Sequence, residues 1–559
     1  MYIIGMKYWG PHDGSACLVK DGKLVFVIEE ERLTRVKHAP YTAPVNAVRA
    51  CLEYAHITIR DVDFVACPRS SPRMQRQMVL PHILANLSTY LRMHSWQTAI
   101  LALQSITNLG ALTIYAALAK HFGHVPKIVS IPHDQAHLAS AFYCSPFERA
   151  ALLNIEGFAE MTTAVLAEGD PYGIRRVQEV RFPNSLGCFY AAFTDWLGFQ
   201  VNEGEGKVMG LAPYGTPVYP LSHIIRTTQH GIEYDGRYGL DQASRKLKRE
   251  FGPPRKPTDQ ITQRHKDIAS SVQARLEDIG LHLLRILASK VNTDNLCLSG
   301  GVALNVKMNG LFLQSGLVKD MFVIPTANDA GLSIGAALEL YRCLGHQVNY
   351  VMNNAYLGPS YSESEIQKSI TQQGLAYKYQ PHIAETVADL IVNGQIVGWF
   401  QDRMEIGPRA LGNRSILADP RISAMKDRIN SRVKHRESFR PFCPSILDEA
   451  KDDYMTGAIQ SPFMTIAFQA KPGIRDTVPA VVHVDGSMRP QTLTETANPK
   501  FYKLIRAFAS KTNVPVVLNT SLNVMGEPIC CTPKDAINCF LTTDLDAIAL
   551  GNFLVMKGG

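Results

Sequence analysis

Residues 3–28 read IIGMKYWGPHDGSACLVKDGKLVFVI and alternate between apolar runs and turn residues. The apolar run at 3–6 predicts a short buried strand, and a turn rich in Gly, Pro, His and Asp follows it at 10–15. The runs at 16–19 and 24–28 flank an Asp-Gly dipeptide and predict a β-hairpin. The chain is therefore expected to open with three strands that two turns connect.

This order of strands and turns is how the lobes of sugar kinases and actin-like ATPases begin, with the first turn facing the phosphates of a nucleotide. A second such start is predicted at 151–167. There an apolar strand at 151–155 ends in Glu156-Gly157-Phe158-Ala159-Glu160, and residues 162–167 supply its partner strand. An acidic residue and a glycine at a strand end suit a second phosphate-facing turn, with a plain hairpin as the alternative.

The composition is that of a globular protein, with 46% hydrophobic and 19% charged residues among 559. This length predicts two or three domains. The net charge of +7 suits anionic small molecules and does not indicate a nucleic-acid partner. The 11 cysteines contain no Cys-x-x-Cys pair, and their odd number excludes a complete intramolecular disulfide framework. We therefore expect a cytoplasmic protein.

Residues 93–119 contain no Lys, Arg, Asp or Glu. Because polar residues interrupt this stretch, we expect a buried helical pair broken near Asn108, with a membrane span as the alternative. The surrounding apolar segment at 78–119 is expected to be an insertion that shapes the binding site of a small molecule.

Two histidines, His133 and His137, lie four residues apart in a segment that predicts a helix, so their imidazoles share one face. This spacing allows both to bind one metal ion, with ordinary hydrogen-bonded histidines as the alternative. A third ligand, a carboxylate, would have to come from elsewhere in the chain. Asp329 follows a predicted strand at 321–325 and precedes a small-residue helix, where α/β folds often place ligand groups. We predict that His133, His137 and Asp329 form a metal site, although Asp329 as a helix cap is the alternative.

Two glycine-rich segments of the first half suit anions. Gly204 and Lys207 belong to a loop at 204–215, where glycines allow backbone N–H groups to approach a charged ligand. Gly300 and Gly301 end a buried strand and open a helix near Asn305, a favourable place for a nucleotide.

A loop at 343–365 separates these segments from a second α/β pattern, which indicates a domain boundary near residue 350. The second half concentrates cations among Gly, Pro and aromatic residues, which predicts a concave site for phosphate and carboxylate-like groups. The cations of this predicted site are Arg409, Arg414, Lys434, Arg436 and Arg440. Further polar turn residues of a small-molecule site include Arg489 and the segment at 519–523.

Together these motifs, with Gly407-Pro408-Arg409-Ala410-Leu411-Gly412 and Phe439-Arg440-Pro441-Phe442, resemble the O-carbamoyltransferase family of the tobramycin, cephamycin, novobiocin and nodulation-factor enzymes. The resemblance implies an α/β protein with an actin-like (ASKHA, two-lobed) carbamoyl-transfer domain at 1–350. A YrdC-like carbamoyl-adenylate-forming domain would follow at 351–559. It also implies that ATP, with Mg²⁺, and carbamoyl phosphate give carbamoyl-adenylate and pyrophosphate. The carbamoyl group would then pass to a hydroxyl of a small secondary metabolite.

The same resemblance assigns roles to individual residues. His133, His137 and Asp329 match ligands of Fe²⁺, and His12 matches the candidate general base. Lys37 matches a lysine near the N-terminal site, although a charge run such as 29–38 is also typical of a solvated helix face. The cations at 409, 434, 436 and 440 match the site for carbamoyl phosphate and nucleotide, and three further residues are expected to line its pocket: Thr520, Ser521 and Asn523.

Three positions in two motifs depart from the family pattern. Glu156 and Ala159 stand where the family usually has Asp-Gly-x-Gly-Glu, and Leu522 replaces a usual Phe. Glutamate is one methylene longer than aspartate and alanine rarely takes a positive φ, which bears on the geometry around phosphate or metal.

The alternatives are a tRNA-modifying carbamoyl transferase and, because of Glu156, a catalytically inactive nucleotide-binding regulator. The expected partner is a hydroxylated small molecule, without nucleic acid or membrane, and a homodimer is left open.

Overall fold

The computed structural model describes residues 1–8, 12–79, 81, 84, 109–239 and 244–558. The chain forms two compact units, the first from residues 1–25 and 41–351 and the second from 26–40 and 352–559. This division differs from the sequence-based boundary only in the segment 26–40. That segment belongs to the second unit because its backbone and side chains form hydrogen bonds with residues of that unit. Val27 N donates to Leu357 O at 3.1 Å, and Arg32 donates to Gly407 O at 2.8 Å.

The first unit contains two five-stranded sheets with strand orders β3-β2-β1-β4-β5 and β12-β11-β6-β7-β8. The strands of the first sheet are β1 (Tyr2–Lys7), β2 (Ser15–Lys20), β3 (Lys23–Glu29), β4 (Phe64–Pro68) and β5 (Lys127–Ile131). Those of the second are β6 (Ala150–Ala159), β7 (Thr162–Asp170), β8 (Gly173–Arg181), β11 (Asn295–Ser299) and β12 (Asp320–Val323). A separate hairpin consists of β9 (Ile225–Thr228) and β10 (Gly231–Tyr234).

Both sheets have the same design. The first strand of each pairs antiparallel with the second strand and parallel with the fourth, and the fourth pairs parallel with the fifth. This repeated order is that of the two-lobed actin-like fold, which confirms the predicted fold class for the first unit. The predicted opening hairpin is confirmed as well, since Asp21 and Gly22 both take the positive φ that its two-residue turn requires.

Helices of seven or more residues in the first unit pack around these sheets. They are α1 (Val45–Ala55), α2 (Leu109–Phe122), α3 (His133–Phe142), α4 (Leu186–Trp196), α5 (Glu205–Leu211), α6 (Arg245–Phe251), α7 (Gln263–Ala288), α8 (Val306–Gln314) and α9 (Leu332–Cys343). Helices α3 and α9 meet at Gly335, where an added Cβ would lie 1.7 Å from the carbonyl oxygen of Ala136. Only glycine permits this approach, which brings the histidines of α3 next to the loop before α9.

The predicted turn at Glu156–Glu160 lies elsewhere than the sequence suggests. Strand β6 continues to Ala159, with a register shift against β7 between Ile155 and Ala159. Glu160, with φ of 53°, takes the left-handed turn conformation, and Ala159 does not. A local bulge therefore accommodates the Glu156 segment within the strand, and alanine at 159 causes no conformational conflict.

The second unit has one mixed eight-stranded sheet in the order β13-β22-β21-β14-β15-β20-β16-β19. Its strands are β13 (Lys378–Tyr379), β14 (Val397–Phe400), β15 (Arg414–Ala418), β16 (Cys443–Leu447), β19 (Gln491–Leu493), β20 (Val516–Ser521), β21 (Ala547–Leu550) and β22 (Phe553–Met556). Strands β17 (Phe468–Gln469) and β18 (Ser487–Met488) form a separate pair. The longer helices are α10 (Glu363–Gln372), α11 (Ile383–Val392), α12 (Pro499–Thr512) and α13 (Pro533–Thr542). The predicted α/β class is thus confirmed for this unit, and its likeness to YrdC stays a prediction.

The helical pair predicted at 93–119 lies largely outside the described residues, which contain only its second part, α2. Among the residues that the structure describes, no helix has the length and apolarity needed to cross a membrane.

Candidate functional site

Helix α3 and the segment before α9 bring three predicted metal ligands together. Asp329 Oδ1 lies 3.6 Å from Nε2 of His133 and 3.5 Å from Nε2 of His137. One donor atom from each of the three residues lies within 4.8 Å of the other two. The four-residue spacing on α3 places both rings on one helix face, as predicted, with ring centroids 5.0 Å apart.

These residues fit a metal ion. Ligand atoms about 2.1 Å from a metal stand about 3.0–3.4 Å from one another in octahedral or tetrahedral geometry, close to the two distances to Asp329. Nε2 of His133 is buried and has no hydrogen-bond partner among the described residues, whereas Nε2 of His137 lies 3.0 Å from Oε1 of Glu156. A buried nitrogen without a partner is costly in a protein interior, and a metal ion would satisfy that of His133 and accept Nε2 of His137 as a second ligand.

The electrostatics of the cluster follow from its burial and charges. Burial opposes protonation of His137, but the carboxylates of Glu156 and Asp329 outweigh it and raise its pKa to about 9. Burial lowers the pKa of His133. Although burial also opposes ionisation of Asp329, Lys7 and the histidines hold its pKa well below the ordinary value. Asp329 is therefore an anion that can serve as a ligand.

Lys7, at the end of β1, fixes the orientation of Asp329. Its Nζ lies 3.1 Å from Asp329 Oδ2, so that the other oxygen, Oδ1, is the one next to the histidines. The same ammonium donates to the carbonyl oxygen of His12 at 2.9 Å. Sequence reasoning missed Lys7, for which the one available signal is a charged residue ending a buried strand.

His12 has the partners of an oriented base. Its Nδ1 lies 3.1 Å from Asp13 Oδ2, which also accepts a hydrogen bond from Asn328 Nδ2 at 2.8 Å. A carboxylate can only accept, so Nδ1 carries the proton and Nε2 is left to accept one. Burial would lower the pKa of His12, but the bond to Asp13 and the charge of Asp329 raise it. Neither Asp13 nor Asn328 was predicted as a site residue.

Glu156 connects the metal cluster to the predicted nucleotide loop. Its Oε1 lies 3.0 Å from Nε2 of His137 and accepts a hydrogen bond from Gly301 N at 2.7 Å. The Gly301 amide is thus engaged by a side chain of this unit. Asn305 caps α8 by accepting from Met308 N at 3.1 Å and exchanges hydrogen bonds with Gln273. The strand ends at Ser299 and a helix opens at Gly301, as predicted, but its first turn, Gly301–Leu304, is a 3-10 turn and α8 begins only at Val306.

Gly204 and Lys207 lie at the start of α5, apart from these contacts in the chain. Gly204 precedes the helix, and an added Cβ there would lie 2.5 Å from Cβ of Phe199. Lys207 Nζ lies over the ring of Phe199, 5.6 Å from its centre. Packing explains this glycine, and anion binding by the loop stays a prediction.

The second unit gathers four arginines that repel one another. Burial first, and then Arg489, Arg440 and Arg436, lower the pKa of Arg409 to about 9. Burial and two of the same neighbours, Arg440 and Arg489, lower the pKa of Arg436 to about 9 as well. Such a concentration of like charge is unfavourable unless an anion balances it. We call Arg409, Arg436, Arg440 and Arg489 the arginine cluster.

Lys434 organises the loop beside this cluster. Its Nζ donates to the carbonyl oxygen of Ser521 and, at 3.0 and 2.8 Å, to the carbonyl and side-chain oxygens of Asn523. Burial and the charge of Arg436 lower the pKa of Lys434 to about 7. Thr520 and Ser521 end strand β20, whereas the sequence predicted turn residues over the whole segment 519–523. The structure therefore brings Lys434, Ser521 and Asn523 into contact.

Arg414 differs from the other predicted cations. It is fully buried, its guanidinium stacks 3.8 Å over the ring of Phe400, and it donates to backbone carbonyls that include Asn413 O at 3.0 Å and Pro359 O at 3.3 Å. The guanidinium thus holds the loop that follows β14, and the prediction that Arg414 contacts a ligand finds no support in its contacts.

Lys37 lies in the segment 26–40, which belongs to the second unit, and not with His12 in the first. This segment is fixed by Arg35, which donates to Ile529 O at 2.7 Å and Pro528 O at 2.9 Å. The charged segment 29–38 is therefore in part packed against the rest of the second unit and is not only a solvent-exposed helix face. The role of Lys37 in transfer stays a prediction.

Comparisons with known proteins agree with these two units. The family profile described as Carbamoyltransferase N-terminus matches residues 2–338, and that described as Carbamoyltransferase C-terminus matches 388–557. An uncharacterized protein of Synechocystis sp. is 37% identical, over 100% of this chain and 97% of its own length. Nodulation protein NolNO of Sinorhizobium fredii is 36% identical, over 98% of this chain and 79% of its own length. Nodulation protein NolO of Bradyrhizobium diazoefficiens is 40% identical, over 76% and 78% respectively.

The profiles together cover most of the chain, and these relatives align with three quarters or more of it. The resemblance predicted from the motifs is thereby confirmed at the level of the family. The chain belongs to the carbamoyltransferase family and is a carbamoyltransferase enzyme.

Proposed function

We propose that this enzyme is an ATP-dependent O-carbamoyltransferase whose two units perform successive half-reactions. The observation that carries the proposal is the arginine cluster, since a site where burial and neighbouring guanidinium groups lower the pKa of Arg409 and of Arg436 suits a ligand with several negative charges. The first unit supports the second half-reaction with a different set of groups, a metal-binding cluster and an oriented histidine.

The second unit would form the activated intermediate. Carbamoyl phosphate, water and ATP would give carbamoyl-adenylate, inorganic phosphate and pyrophosphate, with Mg²⁺ accompanying the nucleotide. The arginine cluster would hold the phosphate groups by charge-assisted hydrogen bonds. Lys434 would keep Ser521 and Asn523, and with them Thr520, in place around the same ligands.

The first unit would carry out the transfer. Nε2 of His12 would take the proton of the acceptor hydroxyl while the hydroxyl oxygen attacks the carbamoyl carbon, and AMP would leave. Asp13 and Asn328 keep the imidazole in the tautomer that this step needs. Fe²⁺ held by His133, His137 and Asp329 would supply positive charge for the phosphate of the leaving AMP. Lys7 keeps Oδ1 of Asp329 directed at the histidines.

The acceptor is proposed to be a small hydroxylated metabolite. Two of the similar proteins are named for nodulation, and the modest net charge of +7 gives little support for tRNA as acceptor. We place the reaction in the cytoplasm, where all 11 cysteines, which form no disulfide in the structure, would remain reduced.

Incubation with ATP, Mg²⁺ and carbamoyl phosphate, followed by mass spectrometry against a panel of hydroxylated metabolites, tests the proposal. We expect pyrophosphate release and a carbamoylated product. A filter-binding assay with bulk tRNA addresses the tRNA-modifying alternative, and tight binding at physiological salt would favour it. Absence of pyrophosphate release would instead favour an inactive regulator.

A further inference from the structure

The helix that carries both histidines is anchored through Asp134, the residue directly after His133. Asp134 is buried, and Arg176 on β8 donates to both of its carboxylate oxygens, at 2.8 and 2.7 Å. Thr162 on β7 adds a third contact, donating from its hydroxyl to Asp134 Oδ2 at 3.2 Å. The first turn of α3 is thus fastened to two neighbouring strands of the second sheet.

This first turn needs an anchor. Pro132 precedes the helix and provides no side-chain cap, and within the turn it is Asp134 that accepts from a backbone N–H, that of Gln135, at 2.8 Å. Helix ends fray when nothing holds them. His133 is the first residue of the helix and its side chain is 16% exposed, whereas that of His137, one turn later, is fully buried. The close approach of Gly335 to Ala136, and a hydrogen bond at 3.2 Å from Gln135 Nε2 to Glu339 on α9, hold the end of this turn. Asp134, directly after His133, holds its start.

We propose that Asp134 and Arg176 form a clamp that positions His133 for metal binding. This inference rests on the proposed metal site and assigns to Arg176 a role that its place in the sequence, more than 40 positions away, does not indicate. Arg176 is a positioning residue, because it acts on the metal through Asp134 and the helix. Residues that orient metal ligands typically change metal affinity by about 10- to 100-fold.

The neighbouring residue on β8 provides a matched control. Arg175 pairs with the buried carboxylate of Glu168 on β7, an ion pair that also contains Arg149. Arg175 is, like Arg176, an arginine of β8, but its partner Glu168 lies on a strand of the sheet and not on α3. Replacing either arginine with methionine removes one guanidinium from a buried carboxylate. Of the two carboxylates, Asp134 belongs to the helix with the histidines and Glu168 does not.

The experiment measures Fe²⁺ affinity of the full-length protein under anaerobic conditions by competition with a chromophoric chelator. Arg176→Met should weaken binding by about tenfold or more, and Arg176→Lys, which keeps the charge, by less. Arg175→Met should stay within about twofold of the parent. Thermal unfolding of the metal-free variants shows whether each of them is folded. If Arg176→Met does not fold, the Fe²⁺ affinity of Arg176→Lys tests the clamp.

A double-mutant cycle separates positioning from general destabilisation. If the clamp acts through His133, adding Arg176→Met to His133→Ala should cause no further loss of Fe²⁺ affinity. Equal affinities of Arg176→Met, Arg176→Lys and Arg175→Met would overturn the clamp, and so would additive effects in the cycle. If the parent binds no Fe²⁺, the metal site itself is refuted and the clamp with it. If the parent binds Fe²⁺ and the Arg176 variants bind it with the parent's affinity, the clamp is refuted and the metal site is not.

Discussion

Removing one member of the arginine cluster should have opposite effects on catalysis and on stability. Arg409 has no hydrogen bond or ion pair of its own among the contacts of the described residues, and its pKa is lowered to about 9 by burial and by Arg489, Arg440 and Arg436. In Arg409→Met an apolar chain of similar length replaces a charge that the ligand-free protein does not neutralise. The variant should therefore resist urea better than the parent when no anion is present.

The same substitution should damage the activation step. One charge-assisted hydrogen bond contributes about 1.5–3 kcal/mol, which corresponds to a loss of about 10- to 150-fold in rate. The assay is pyrophosphate release from ATP, Mg²⁺ and carbamoyl phosphate, which needs no knowledge of the acceptor. Inorganic phosphate should also stabilise the variant less than it stabilises the parent, because ligand stabilisation follows affinity.

Arg421→Met is the matched control, since Arg421 lies in the same unit and is neutralised by Asp419 through three contacts, at 3.0, 3.1 and 2.7 Å. It should lose stability or stay neutral and keep the parent's rate of pyrophosphate release. If Arg409→Met releases pyrophosphate at the parent's rate, or unfolds at lower urea without ligand, the reasoning about the cluster is refuted.

Three further predictions concern single groups of the two sites. His12→Asn should slow carbamoyl transfer by about 10²–10⁴-fold and leave pyrophosphate release intact; an unchanged transfer rate would reduce His12 to a turn residue. Because Lys434 loses its charge as pH rises through about 7, sulfate affinity measured by calorimetry should fall between about pH 6 and 8. In Lys434→Met this dependence should vanish, and its persistence would assign it to another group. His133→Ala/His137→Ala should purify without iron by elemental analysis; unchanged iron would place the metal elsewhere.

The sequence predicts much of the fold because local signals are strong where strands are short and turns are polar. The Asp21-Gly22 turn, the spacing of His133 and His137, and the strand before Ser299 all follow from nearest neighbours in the chain. The bulge that extends β6 past Glu156 does not, since it depends on the register with β7.

The site is less predictable for the same reason. Lys7 and Asn328 act on residues hundreds of positions away. The sequence around Lys7 offers one weak signal, a charge at the end of a buried strand, and that around Asn328 does not name its partner. Arg414 looked like a ligand group because it is a cation near Gly and Pro, but its surroundings in the fold turn it inward onto Phe400 and backbone carbonyls. Whether a charged side chain faces a ligand or the backbone is decided by packing, which a motif does not contain.

The central claim is that this chain activates a carbamoyl group as an adenylate before transferring it. The most direct measurement is mass spectrometry of the His12→Asn variant after incubation with ATP, Mg²⁺ and ¹³C-labelled carbamoyl phosphate. We predict labelled carbamoyl-adenylate, or AMP with labelled carbon dioxide from its hydrolysis, together with one pyrophosphate per AMP. ATP left intact, or cleaved to ADP without AMP, would contradict the claim.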